Sequence, residues 1–143
     1  MTNQPHRIVV GVDSSPGSRA ALLWALAQAR LTGATVEAVT AWQNPIVYDG
    51  WIPAAPDSYV VAEMAEKVLA RTVADAVGTQ DRPVDVRTAV AEGPAAQVLL
   101  TAAAGAELLV VGSRGHGAFA GMLLGSVSQH CVQHPPCAVV VVP

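Results

Sequence analysis

Five short runs rich in Val, Ile, Leu and Ala recur along the chain, and the stretches between them carry helical spacing. The runs are Arg7–Val12, Thr35–Ala41, Val84–Ala89, Glu107–Gly112 and Ala138–Val142. Strands that alternate with helices over short connections imply a parallel sheet with right-handed crossovers. Five strands and four helices fit a doubly wound, Rossmann-like α/β fold with expected strand order 3-2-1-4-5. The first helix is expected to be capped by Ser15, to have Pro16 as its first residue and to stop near Gly33. The second spans about Ser58 to Val77, with Val61, Ala65, Val68, Leu69, Thr72 and Ala76 as its inward stripe. Pro94 opens the third, which ends at Gly105, and Ser126 begins the fourth.

Composition agrees with that fold. Hydrophobic residues make up 52% of the 143 residues and charged residues only 13%, against about 25% charged in ordinary globular domains. Strands buried on both faces have no solvent side to decorate, so charge is scarce. Without an internal repeat or a linker, residues 1–143 are expected to form one domain. The net charge is −3, and Lys67 and seven arginines are scattered rather than clustered. Nucleic acid is therefore not an expected partner, because its phosphates require a concentrated basic surface. The opening residues MTNQPHR lack the apolar run of a signal peptide, and no window reaches the length of a membrane span. Two cysteines, Cys131 and Cys137, are too few for a disulfide scaffold, so a cytoplasmic location is expected.

The chemistry concentrates after the fourth strand. The sequence there reads Gly112-Ser113-Arg114-Gly115-His116-Gly117-Ala118, continues to Gly121, and reaches Gly125-Ser126 at the start of the last helix. Glycines let an anion approach the backbone and permit positive φ, so successive amides can form an anion nest. The helix start adds free N–H groups and the positive end of its dipole. Gly115-x-Gly117-x-x-Ala120 formally matches a dinucleotide fingerprint, but no acidic residue follows about twenty positions later. A Walker loop would need Gly-Lys-Ser/Thr, and a nucleophile elbow would need Gly-x-Ser-x-Gly; neither is present. Asp13, just past the first strand, has two readings. It caps the first helix, or it reaches a ribose hydroxyl or a phosphate-bound metal.

With these residues in view, the chain resembles the universal stress proteins of the ATP-binding subclass, actinobacterial members among them, over nearly its full length. Gly11-Val-Asp13-Ser-Ser-Pro16 followed by Ala20-Ala-Leu-Leu-Trp24-Ala-Leu26 is similar to that family's opening. The spacing Gly112-x2-Gly115-x9-Gly125-Ser126, continued by Val127-Ser128, is similar to its nucleotide signature. The resemblance implies that Gly11 and Asp13 line a nucleoside and that the main chain of Ala41 meets the adenine edge. It also implies that Gly112, Ser113, Arg114, Gly115, His116, Gly117 and Ala118 wrap a triphosphate, with Gly125 in the site and Ser126 and Val127 donating from the helix start. Arg114 either neutralises phosphate or points to solvent. Cys137-Ala138 stands where the family often has Cys-Pro, a departure confined to the last strand.

Other constellations carry less. His130, Cys131, His134 and Cys137 lie close in sequence, but Pro135-Pro136 intervenes, and no metal site is expected. Trp24 is expected in the core, and Cys137 as a small buried hydrophobe. Trp42, Tyr48 and Trp51 mark a long loop, read first as local packing and second as a lid or partner surface. Glu92 reads as a solvated strand end, not a base. The expectation is an ATP-binding regulator, with magnesium on the nucleotide and no efficient catalysis. The alternatives are a slow ATPase and a nucleotide-free scaffold. The uncharged last strand, Ala138–Val142, suggests a homodimer through an unprotected edge, with a further protein partner left unidentified.

Overall fold

The computed structural model describes residues 6–43, 58–78, 83–115 and 124–143. Its elements run β1 (Arg7–Gly11), α1 (Pro16–Thr32), β2 (Thr35–Trp42), α2 (Ser58–Val77), β3 (Val86–Glu92), α3 (Ala95–Ala102), β4 (Leu108–Gly112), α4 (Ser126–Gln133) and β5 (Ala138–Val142). The strands form one sheet in the order β3-β2-β1-β4-β5, and every pairing is parallel. This is the Rossmann-like arrangement expected from the alternation of elements.

Period-two alternation in the central strands feeds two apolar layers. Ile8 and Val10 of β1 join Leu22, Leu26, Val36, Leu69 and Val110 on one face, beneath α1 and α2. Val9 joins Val39, Leu99, Leu109, Val111 and Cys131 on the other, beneath α3 and α4. Trp24 is half-buried and packs against the first layer. At the end of α1, Gly33 takes φ +77° and its N–H donates to Ala29 O, closing the helix with a left-handed residue.

Some boundaries differ from expectation. β3 runs from Val86 to Glu92 and not from Val84 to Ala89. Its extent follows its partner, since it pairs with β2 from Val36↔Val86 through to Trp42↔Glu92. Pro94 is the N-cap of α3 and not its first residue, and the helix ends at Ala102, before Gly105. On α2 the buried positions are Leu69, Val73 and Ala76, whereas Val68 is 51% exposed. The inward face is therefore rotated relative to the expected stripe, because α2 packs on β2 and β3 near the sheet edge. Tyr48 and Trp51 lie outside the described residues, while Trp42 closes β2.

β1 lies between β2 and β4. The chain leaves β1 toward one side of the sheet and returns on the other side at β4. Loops at the carboxyl ends of these two strands therefore diverge and open a crevice at the topological switch point.

Candidate functional site

That crevice holds a cavity of about 300 Å³. Gly11, Asp13, Ala41, Gly112, Arg114, Gly115, Gly125, Ser126 and Val127 all line it, although they come from four separate parts of the chain. Ser113 does not line it; its peptide belongs to the frame. His116, Gly117 and Ala118 lie outside the described residues.

The loop glycines act through close approach. A β-carbon on Gly112 would stand 2.7 Å from both C and O of Gly17, so the end of β4 can pass the start of α1 only as bare backbone. A β-carbon on Gly115 would stand 2.6 Å from Asp13 Oδ2, and one on Gly125 would stand 3.3 Å from Arg114 Cα. Positive φ occurs at Gly33, Gly78, Gly93 and Gly105, and not at these three glycines. The left-handed part of the expected anion nest is thus not found among the described loop residues.

Three helices begin at the cavity, α1, α3 through its first residue Ala95, and α4, and the first turns of α1 and α4 differ. At α1, Ser15 Oγ accepts from Ser18 N–H at 3.1 Å, Asp13 Oδ1 accepts from Ser15 N–H at 2.9 Å, and Pro16 has no N–H to satisfy. This helix start is largely closed by its own capping residues. At α4 the N-cap is Gly125, which has no side chain to offer. Gly125 N–H donates to Ser113 O, so it is engaged within the protein. The first intrahelical bond runs from Gln129 N–H to Gly125 O. Among the described residues, the amides of Ser126, Val127 and Ser128 meet no acceptor, and all three residues border the cavity. Three aligned donors at the positive end of a helix are of the kind that main-chain anion sites use.

Asp13 takes the capping role that the sequence allowed, and it also lines the cavity. Besides Ser15 N–H, its Oδ1 accepts from Ser15 Oγ–H, which fixes the start of α1. The intervening Ser14 is held at φ +68°, a left-handed conformation uncommon for serine. Oδ2 faces Gly115 across the cavity mouth. Asp13 is the only carboxylate and Arg114 the only cation among the described lining residues, and both are exposed. One carboxylate beside an anion site suits Mg²⁺, which takes one or two protein carboxylates and completes its shell with phosphate oxygens and water.

Much of the remaining lining is apolar. Val39, Leu99, Val111 and Ala95 join Gly11 and Ala41 in it, and a β-carbon on Gly11 would touch Leu99 Cδ1 at 2.7 Å. Val39, Ala95, Leu99 and Val111, with Val12, Ser15, Ser18 and Ser128, were not singled out from sequence as lining residues. Strand parity does put Val39 and Val111 on the α3 face, but the position of Leu99 depends on how α3 docks. A second cavity of about 380 Å³ lies toward α2, walled by Met64, Ala65, Val68 and Leu69.

His130 and His134 stack with ring centroids 5.0 Å apart, tilted by 48°. Among the described residues no three His, Cys, Asp or Glu side chains converge as a metal site would need. Cys131 is buried, and Cys137 packs half-buried against the α3 and α4 layer. Glu92 is exposed at the end of β3.

Residues 5–143 match the sequence model of the universal stress protein family. The chain belongs to that family. It is 38% identical over 145 residues to Universal stress protein Rv1996 of Mycobacterium tuberculosis, an alignment covering 96% of this chain and 44% of that protein. The chain thus spans less than half the length of such relatives. Among solved structures, universal stress protein UspA from Lactobacillus plantarum superposes with a TM-score of 0.78 at 22% identity, over 99% of this chain and 100% of that one. A universal stress protein in complex with cAMP superposes at 0.63 with 25% identity, over 96% of this chain and 97% of that one.

Proposed function

We propose that this chain binds an adenine nucleotide, ATP carrying Mg²⁺, in the cavity between β1 and β4, and acts as a nucleotide-dependent regulator in the cytoplasm. One observation carries the reading: at the start of α4, three amides that meet no acceptor among the described residues belong to residues lining a cavity whose remaining lining is largely apolar. Phosphates suit the amides, and a flat purine suits the lining formed by Val39, Ala41, Leu99 and Val111. The volume of about 300 Å³ lies at the lower end of the ~300–1,000 Å³ typical of small-ligand sites. A family member solved with cAMP supports an adenine nucleotide as the ligand class. In this reading Asp13 carries Mg²⁺ or a ribose hydroxyl, and Arg114 offsets phosphate charge at the rim.

Binding, and not turnover, is the proposed activity. Hydrolysis requires a group that positions water and stabilises an in-line transition state. Asp13 Oδ1 is already engaged by Ser15, which leaves it poorly suited as a base. A radiolabelled turnover assay tests this: sustained multiple turnovers that vanish in Asp13→Asn would contradict it. The nucleotide itself is tested by mass spectrometry of purified protein and by calorimetric titration with ATP, AMP and cAMP. A chain that binds none of them would leave only a scaffold.

The regulatory output is proposed to run through protein contacts, to a second copy and to a further partner. Among the described residues β5 has one hydrogen-bonded neighbour, β4, and none pairs with its other edge; Val139 to Val142 are half-buried. Two such edges, uncharged and strongly β-forming, are suited to pair antiparallel in a homodimer. Light scattering on Val140→Lys is expected to give a monomer; an unchanged dimer contradicts the pairing.

A further inference from the structure

We infer that Ser128 is a positioning residue that holds the phosphate end of this site at its working spacing and so sets the preference for phosphorylated ligands over the bare nucleoside. This rests on the nucleotide reading above. Ser128 is the third residue of α4 and is 2% exposed, so its hydroxyl must bond within the protein. Its Oγ–H lies 2.9 Å from Ser113 O and 3.1 Å from Gly125 O. Gly125 N–H donates to the same Ser113 carbonyl. Two donors from the first turn of α4 therefore converge on one oxygen of the residue that follows β4. On its other side, Ser113 N–H donates to Val142 O of β5 at 2.8 Å.

The peptide units flanking Ser113 are thus fixed from both directions. What Ser128 adds is the tie between the two halves of the proposed anion site: the Arg114–Gly115 loop, which continues from Ser113, and the open amides of α4. A hydroxyl at this position normally caps its own helix or faces water. Here it reaches outside its helix to the loop that must stay in register with that helix. Without it, one hydrogen bond among the described residues, from Gly125 N–H, still ties Ser113 to the start of α4, and loop and helix start can separate. The apolar lining, formed by Val39, Leu99 and Val111, has no bond to Ser128. A ligand without phosphate should therefore be indifferent to the change.

The test compares calorimetric affinities for Mg-ATP and for adenosine in the wild type, Ser128→Ala, Ser128→Cys and Ser128→Thr. Ser128→Ala is expected to weaken Mg-ATP about tenfold while adenosine stays within about twofold, from the loss of one buried hydrogen bond at the phosphate end. Ser128→Cys keeps the size but is a weak donor and should behave like Ala. Ser128→Thr keeps the hydroxyl and should restore most of the ATP preference. An ATP-to-adenosine ratio that is unchanged in Ala and Cys, or lowered equally in Thr, overturns the inference while the nucleotide reading survives. A wild-type chain that binds neither ligand overturns both.

Discussion

Asp13 and Gly115 meet across the mouth of the cavity, where a β-carbon on Gly115 would stand 2.6 Å from Asp13 Oδ2. The carboxylate cannot simply swing aside, because its Oδ1 holds Ser15 at the start of α1. Gly115→Ala should therefore displace the loop. The expected result is a loss of ATP affinity of tenfold or more, with the circular dichroism spectrum retained. In an Asp13→Ala background the second substitution should add little to the loss of stability, since contacting residues are not additive. Calorimetry and denaturant titration on the four-member cycle check this.

Gly112 and Gly11 occupy equivalent ends of β4 and β1 but should differ in tolerance. A methyl group on Gly112 meets the backbone of Gly17, which has no rotamer to yield. Overpacking of this kind destabilises by ~1–3 kcal/mol, and Gly112→Ala belongs at the upper end. A methyl group on Gly11 meets the δ-carbons of Leu99, the tip of a flexible side chain. Gly11→Ala should fall at or below ~1 kcal/mol, while weakening nucleoside binding by narrowing the cavity along its apolar lining. Urea unfolding of both variants measures the difference.

Gly125 leaves the first turn of α4 open because it has no side chain oxygen. In Gly125→Asp a carboxylate would accept from those amides and repel phosphate. ATP affinity should fall more than tenfold with helix content preserved. Adenosine affinity should fall much less. Equal loss for both ligands would point to general distortion instead.

Burial pushes the Cys131 thiol above its ordinary value of 9.0. Burial also raises Cys137, partly offset by the Arg7 guanidinium. A thiol whose pKa is raised by folding favours the folded state while it stays protonated. That contribution is full below the ordinary thiol value and is lost as pH rises through the raised one. Stability should therefore decline above about pH 9, more steeply than in Cys131→Ala measured against its own neutral-pH value. Iodoacetamide should label Cys131 at neutral pH only after denaturant is added.

Much of the fold was legible because its signals are local. Alternating apolar residues in Ile8-Val9-Val10 and Leu109-Val110-Val111 serve two faces at once, and Ser15-Pro16 marks a helix start without outside help. The edges were less legible. β3 takes its length from β2, and α2 turns its Val73 face inward because of where it docks. The glycine spacing located the site, yet the reason for each glycine was hidden. Close approach of Gly17, Asp13 and Arg114 is a tertiary fact. The same holds for Ser113, which reads as a ligand in the sequence but serves as frame, bonded to Val142 and to the first turn of α4.

The central claim is that the amides of Ser126, Val127 and Ser128 receive the phosphates. Amide-resolved nuclear magnetic resonance during titration with Mg-ATP tests it most directly. Saturable shifts are expected, largest at these three amides and at Gly115, with smaller ones at Ala41 and Leu99. Saturation of the protein by Mg-ATP while those three resonances stay unmoved would contradict it.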